Sequence, residues 1–286
     1  MIVDVNKKIL IVGLGLLGGS YAKALRRFGF HISAITKERS SIDYAIENGI
    51  IDEGSTSLDP SIIGAADIVI FALYPHVFVE WIEKNGHLLR SGTVITDVTG
   101  VKSAIVSRVQ DMLPEGVEFI AAHPMAGREV YGVENSDDGI FRGANFIVTP
   151  TDKNTQEAID ICRELGELLG FAHVAVLSPT VHDRMIAFLS QLTHCIAVAL
   201  MTCNDNKSIC DYTGDSFRDL TRIARINEDM WTELFLINKD PLVSEIKAFI
   251  GELEKMRRAI ETDDEDTLKK MMRTSTERRA LFDKKV

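Results

Sequence analysis

The tightest constraint on this chain is a glycine-spaced turn close to its N-terminus. Gly13-Leu14-Gly15-Leu16-Leu17-Gly18 follows the apolar run Ile9–Val12, leads into a helical pattern over 20–28, and is followed by a second apolar run from Ile32. Glycines at these three places permit a tight turn, a close backbone approach to a bound anion, and packing of the helix on the strand. Helix N-termini carry unpaired N–H groups, which suit a pyrophosphate. A lone G-x-G-x-x-G is weak evidence, but the flanking strands meet its context test. Gly13, Gly15, Leu16, Leu17 and Gly18 are therefore expected to hold a nicotinamide dinucleotide.

Further apolar runs occur at 68–73, 94–96, 119–122, 146–148 and 174–177, separated by helix-length stretches such as 41–48, 101–113 and 155–169. Continuous rather than alternating apolar runs suit strands covered on both faces. The pattern predicts an α/β fold, a Rossmann-type doubly wound sheet, over 1–178. After Pro179 the spacing becomes helical, as in Leu242, Ile246, Phe249, Ile250 and Leu253, so 179–286 is expected to be an all-α domain.

At the end of the second expected strand, where an acidic residue would hold the adenosine ribose of NAD, the chain reads Thr36-Lys37-Glu38-Arg39. Thr36 removes repulsion toward a ribose phosphate, while Lys37 and Arg39 supply positive charge that Glu38 partly offsets. The reading leans slightly to NADP over NAD. Tyr74-Pro75, Asp97-Val98-Thr99-Gly100 and His123-Pro124 each follow an expected strand, so their loops should converge with the glycine turn on one crevice. His123 is the expected acid/base there, because an imidazole titrates near neutrality and can take a hydroxyl proton.

With 42 acidic against 32 basic residues the net charge is −10, which disfavours nucleic acid and anionic membrane partners. The first residues lack the order of a secretory signal, so a cytoplasmic protein is expected. Residues 185–204 carry no formal charge, yet Ser190, Gln191, Thr193 and His194 lie at the middle of the segment; a helix buried in protein, not in lipid, is expected. Cys162, Cys195, Cys203 and Cys210 form no C-x-x-C pair and are expected to be small buried hydrophobes. No metal-ligand spacing appears, and no metal is expected. At about 100° per residue, Asp183 and His194 fall about 20° apart with Ser190 nearby, a polar stripe that needs partners. In Arg218-Asp219-Leu220-Thr221-Arg222, a helix would let Asp219 hold Arg222 while the guanidinium grips a substrate carboxylate.

Taken in order, the glycine turn with Gly19-Ser20, Asp97 to Lys102, His123-Pro124-Met125-Ala126-Gly127-Arg128-Glu129, His182-Asp183, Ser190 to His194 and Arg218 to Ala224 resemble the prephenate and arogenate dehydrogenases of tyrosine biosynthesis. The resemblance covers nearly the whole chain. It implies oxidative decarboxylation of prephenate to 4-hydroxyphenylpyruvate with reduction of NAD(P), or of arogenate directly to tyrosine. It further implies His123 as the base for the ring hydroxyl, Arg222 and His194 as substrate ligands, Glu129 and Trp231 lining or gating the site, and a homodimer built by the helical half; Tyr74 and Pro75 are expected beside the cofactor from their place after a strand.

Two motifs depart from the family pattern. D-x-x-S-x-K reads Asp97-Val98-Thr99-Gly100-Val101-Lys102, which leaves Thr99 as the expected substitute hydroxyl, and S-H-L-P-H reads Ser190-Gln191-Leu192-Thr193-His194. Related β-hydroxyacid dehydrogenases share the two-domain plan, but their catalytic lysine with a nearby asparagine in the helical half does not stand out here. A non-catalytic NADP-binding redox sensor would leave His123 and Arg222 without a shared task.

Overall fold

The computed structural model describes residues 3–128 and 130–282, which fall into two compact units divided after Asn238. In the first unit, β1 (Lys8–Val12), β2 (His31–Ile35), β3 (Glu53–Ser55), β4 (Ile68–Phe71), β5 (Val94–Asp97) and β6 (Glu118–Phe119) make one parallel sheet ordered β3-β2-β1-β4-β5-β6. Crossover helices α1 (Leu16–Arg26), α2 (Arg39–Glu47), α3 (Pro60–Ala65), α4 (Pro75–Asn85) and α5 (Ser103–Met112) join successive strands. The continuous apolar runs have a simple origin. Ile9 and Ile11 enter the core on one face of the sheet, while Leu10 and Val12 enter a separate core on the other. Each such side chain, fully removed from water, contributes roughly 1.5–3 kcal/mol. Strand order reverses between β1 and β4, which sets the carboxyl ends of these two strands side by side.

The run expected as one strand over 119–122 is divided between two sheets. Ile120 N–H still donates to Ile95 O at 3.0 Å, but Ala122 N–H is captured by the Asp97 carboxylate at 3.1 Å, and the chain leaves the first ladder. It continues as β7 (Ala121–Pro124), antiparallel to β8 (Asn145–Thr149), which pairs in parallel with β9 (His173–Val176). Between β8 and β9 runs α6 (Gln156–Leu168), its N-terminus capped by the Thr155 hydroxyl, which accepts from Ala158 N–H. Strand β3, Glu-Gly-Ser, is absent from the apolar pattern because it is held at the sheet edge by pairing with β2 and not by apolar side chains.

Past β9 the first unit is helical: α7 (Pro179–Ile186), a π turn over Ala187–Leu192, α8 (Thr193–Thr202), α9 (Asp215–Thr221) and α10 (Glu228–Ile237). Helical residues Pro179–Thr202 are long and apolar enough to cross a membrane by composition, with mean hydropathy 1.7, but only 28% of the apolar window is buried. The expected burial within the chain is thus corrected: Phe188, Leu189 and Met201 face outward. The cysteine expectation also needs correction, because Cys162 is buried and Cys195 partly so, while Cys203 and Cys210 are exposed.

The second unit is a helix pair, α11 (Lys239–Glu261) and α12 (Glu265–Arg279). Asp263 turns the chain at φ 53°, and the Asp264 carboxylate accepts from Thr267 N–H, so the acidic run 263–266 serves as turn, cap and first helical turn.

Candidate active site

β1 delivers the backbone to Gly13, which adopts φ +95°, a conformation that strains any residue with a side chain. A Cβ on Gly13 would lie 2.4 Å from Ala72 O, and one on Gly18 would lie 2.0 Å from Gly13 O. These two glycines are required by the fold itself. Gly15 differs, because a Cβ there would meet nothing within 4 Å. Its open side lies at the start of α1, whose first turn has neither a side-chain cap nor an acidic residue. The first-turn N–H groups of a helix that has no side-chain cap and no nearby carboxylate in that turn fit a dinucleotide pyrophosphate. Beside the turn, the chain leaves β4 after Phe71 and passes Ala72 to reach Tyr74 and Pro75, the buried first residue of α4.

Toward the expected ribose end, Thr36 N–H donates to Ser55 O at 3.2 Å and Lys37 is exposed. Arg39, in the first turn of α2, donates through Nε to Asp43 at 2.9 Å. Its charge is therefore shared with a carboxylate one turn away.

The most ordered chemistry lies at β7. Nδ1 of His123 is 2.9 Å from Nε2 of His182, and Nδ1 of His182 is 2.7 Å from Asp183 Oδ1. A carboxylate can only accept, so His182 carries its proton on Nδ1 and its Nε2 is left to accept from His123 Nδ1–H. His123 Nε2 then presents a lone pair, the arrangement of a general base. Burial pushes the His123 imidazole well below the ordinary histidine range, and the neighbouring His182 and the Lys102 cation push it the same way. Burial likewise lowers His182, against the opposing pull of Asp183. Both rings are therefore neutral at pH 7.

Beneath the base lies a buried ion pair. Lys102 Nζ is 2.7 Å from Asp97 Oδ2, with both side chains fully excluded from solvent. Its remaining protons go to Ala122 O at 2.5 Å and Thr99 Oγ1 at 3.2 Å, which saturates the ammonium. Because Ala122 precedes His123, this pair fixes the backbone that carries the base. Thr99 is corrected here: it is buried, and its hydroxyl is committed to Asp97 and Val101, so it does not stand in for the family's serine. Gly100 occupies that place, and a Cβ on it would lie 3.9 Å from His123 Cε1.

On the helical side, His194 Nδ1–H donates to Ser190 O at 2.8 Å and the ring stacks on Trp231, centroids 3.7 Å apart. The turn Arg222–Ala224 packs against α8, so Arg222 belongs to the same neighbourhood. It does so from a 3-10 turn, since α9 ends at Thr221; the expectation of an α-helical Asp219–Arg222 spacing is corrected. The π turn at Ala187–Leu192 also breaks the 100° phase used to join Asp183 with His194 in one stripe. Glu129 lies outside the described residues. Sequence reasoning named no role for His182, Asp97 or Lys102. The aspartate and lysine five residues apart in the Asp97–Lys102 motif were the available signal for the ion pair; nothing local links His123 to a ring 59 positions away.

Residues 21–176 match the family profile described as prephenate dehydrogenase, nucleotide-binding domain, and residues 178–274 match prephenate dehydrogenase, dimerization domain. The chain is 29% identical over 278 residues to prephenate dehydrogenase of Bacillus subtilis, covering 95% of this chain and 75% of that one. The crystal structure of prephenate dehydrogenase from A. aeolicus in complex with hydroxyphenyl propionate and NAD+ superposes with TM-score 0.89 at 31% identity, over 97% of this chain and 98% of that one. Synechocystis arogenate dehydrogenase superposes with TM-score 0.83 at 25% identity, over 96% and 100%.

Proposed function

Because the chain belongs to the prephenate dehydrogenase family, we propose that it oxidatively decarboxylates prephenate to 4-hydroxyphenylpyruvate, with His123 as the base. The observation that carries this reading is the Asp183–His182–His123 chain, which leaves His123 Nε2 neutral and unprotonated. When bound, the nicotinamide supplies the hydride acceptor for the hydroxyl-bearing ring carbon. His123 Nε2 takes the proton of that hydroxyl as its C–O bond becomes a carbonyl. The ring carboxylate then leaves as carbon dioxide, its bonding electrons complete the aromatic ring, and the former carbonyl oxygen takes the proton back from His123 Nε2 to become the phenol hydroxyl, so decarboxylation needs no second base. Arg222 and His194 would hold the substrate's charged and polar ends, with Trp231 and Glu129 lining or gating the site.

For the cofactor, Gly13, Gly15, Leu16, Leu17 and Gly18 would cradle the pyrophosphate and Tyr74-Pro75 would border the bound dinucleotide. A small preference for NADP over NAD is assigned to Thr36 and Lys37, with Arg39 contributing what Asp43 leaves to it. In this reading 1–178 binds the cofactor, and 179–286 completes the substrate site and joins two copies into a homodimer in the cytoplasm. The outward apolar face of Phe188, Leu189 and Met201 and the match to a dimerization domain support the dimer. Arogenate is the second substrate reading, supported by the superposition on Synechocystis arogenate dehydrogenase. The histidine chain argues against a purely cofactor-sensing role.

Purified protein mixed with prephenate or arogenate, and with NAD or NADP, tests all of this in four assays of nicotinamide reduction. Reduction with prephenate is expected; none with either substrate would overturn the enzyme reading. His123→Asn should lower kcat about 10²- to 10⁴-fold with cofactor affinity retained. Equal loss of cofactor binding would make His123 a structural residue.

A further inference from the structure

We propose that Asn238 and Gln191 are positioning residues for the His123 base, acting through the backbone of Asp183. Both amides are buried, at 3% and 1% exposure, where water cannot replace a lost hydrogen bond. Asn238 Nδ2 donates to Asp183 O at 2.9 Å and to Gln191 Oε1 at 2.7 Å, and Gln191 Nε2 donates to Leu234 O at 2.9 Å. Main-chain carbonyls only accept, so the orientation of both amides is fixed by their partners.

The carboxylate of Asp183 is held from the other side. Its Oδ1 accepts from Lys102 N–H at 2.9 Å and from His182, and its Oδ2 accepts from Ser103 N–H at 2.7 Å. Asp183 is thus clamped at its side chain by the start of α5 and at its carbonyl by Asn238. Gln191 sits in the π turn, whose wide winding breaks the α-helical hydrogen-bond pattern directly after α7, and its bond to Leu234 ties that turn to α10. Leu234 in turn lies 3.5 Å from where a Gly100 Cβ would be, beside the His123 ring. The family pattern has a histidine where this chain has Gln191. An uncharged amide therefore completes the clamp, and the groups that face the two histidines remain Asp183, Lys102 and Asp97.

The inference rests on His123 acting as the base, and its test separates the two ideas. In the full chain, Asn238→Leu removes both donors at similar volume. Expected are a folded protein by circular dichroism, a kcat lowered about ten- to a hundredfold, a KM for the dinucleotide changed less than about twofold, and an acid limb moved toward higher pH. Proton NMR of the His123 and His182 Cε1–H signals should show titration moving back toward the ordinary range. This readout stands even if the substrate assignment fails. A folded Asn238→Leu with wild-type kcat and wild-type histidine titration would overturn the proposal. Should Asn238→Leu not fold, Gln191→Met, which keeps the Asn238–Asp183 bond but cuts the tie to Leu234, is read by the same measurements, and wild-type behaviour there overturns it. Unfolding of both variants also overturns it, because the amides would then be elements of folding alone.

Discussion

His123 Nδ1 stands 2.9 Å from His182 Nε2, and this contact decides which nitrogen of His123 is left to accept a proton. The pH dependence follows from it. Burial, His182 and Lys102 all lower the His123 imidazole, so it is neutral throughout the neutral range and protonates only well below about 6.5. The acid limb of kcat/KM is expected in that lower range, with activity lost as pH falls and no loss from this group as pH rises. The same protonation is costlier in the folded chain than in the unfolded one. Stability from this site is therefore full above about 6.5 and declines below it. A pH series of initial rates beside urea midpoints checks both; an acid limb at or above 6.5 would contradict the assignment.

Lys102 should prove indispensable to the fold. Replacing it with methionine leaves the buried Asp97 carboxylate without its counter-charge, which costs about 3–5 kcal/mol. Denaturant melts of Lys102→Met are expected to show that loss, whereas Asp97→Asn with Lys102→Met together should recover part of it.

The glycines of the turn should separate folding from binding. Gly18→Ala places a methyl group 2.0 Å from Gly13 O and is expected to destabilise the protein, while Gly15→Ala meets open space. Gly15→Ala should melt like the wild type and bind dinucleotide at least about tenfold more weakly, since its methyl fills the approach to the N–H groups of α1. Calorimetric titration with NAD and NADP checks the second half.

Gly100→Ser restores the residue of the family pattern at a position with ordinary van der Waals room, 3.5 Å from Leu234 and 3.9 Å from His123. A hydroxyl there could add one hydrogen bond to the reacting region, worth about 0.5–1.5 kcal/mol. Melting should be unchanged and kcat/KM for the ring substrate should rise about two- to tenfold. A fall in kcat/KM at unchanged stability would show that this site requires the smaller residue.

Much of the architecture was legible in the sequence because it depends on local spacing. The two-faced apolar runs of β1, β2 and β4 and the glycines at 13, 15 and 18 state their structure within a few residues, and the order of polar loops after strands points to the crevice. The resemblance of the ordered motifs carried the family. Tertiary structure alone decided what depends on distant partners. Asp97 draws Ala122 out of the first sheet and so splits one apolar run into two strands; β7 then presents His123 to His182 on α7; and Asn238 reaches back to Asp183. Hydropathy identified Pro179–Thr202 as an apolar helix, but whether its face is covered depends on what packs against it, and that is not a property of the segment. Periodicity is set by neighbours in sequence, whereas the proton position on a buried histidine is set by whichever acceptor the fold places 3 Å away.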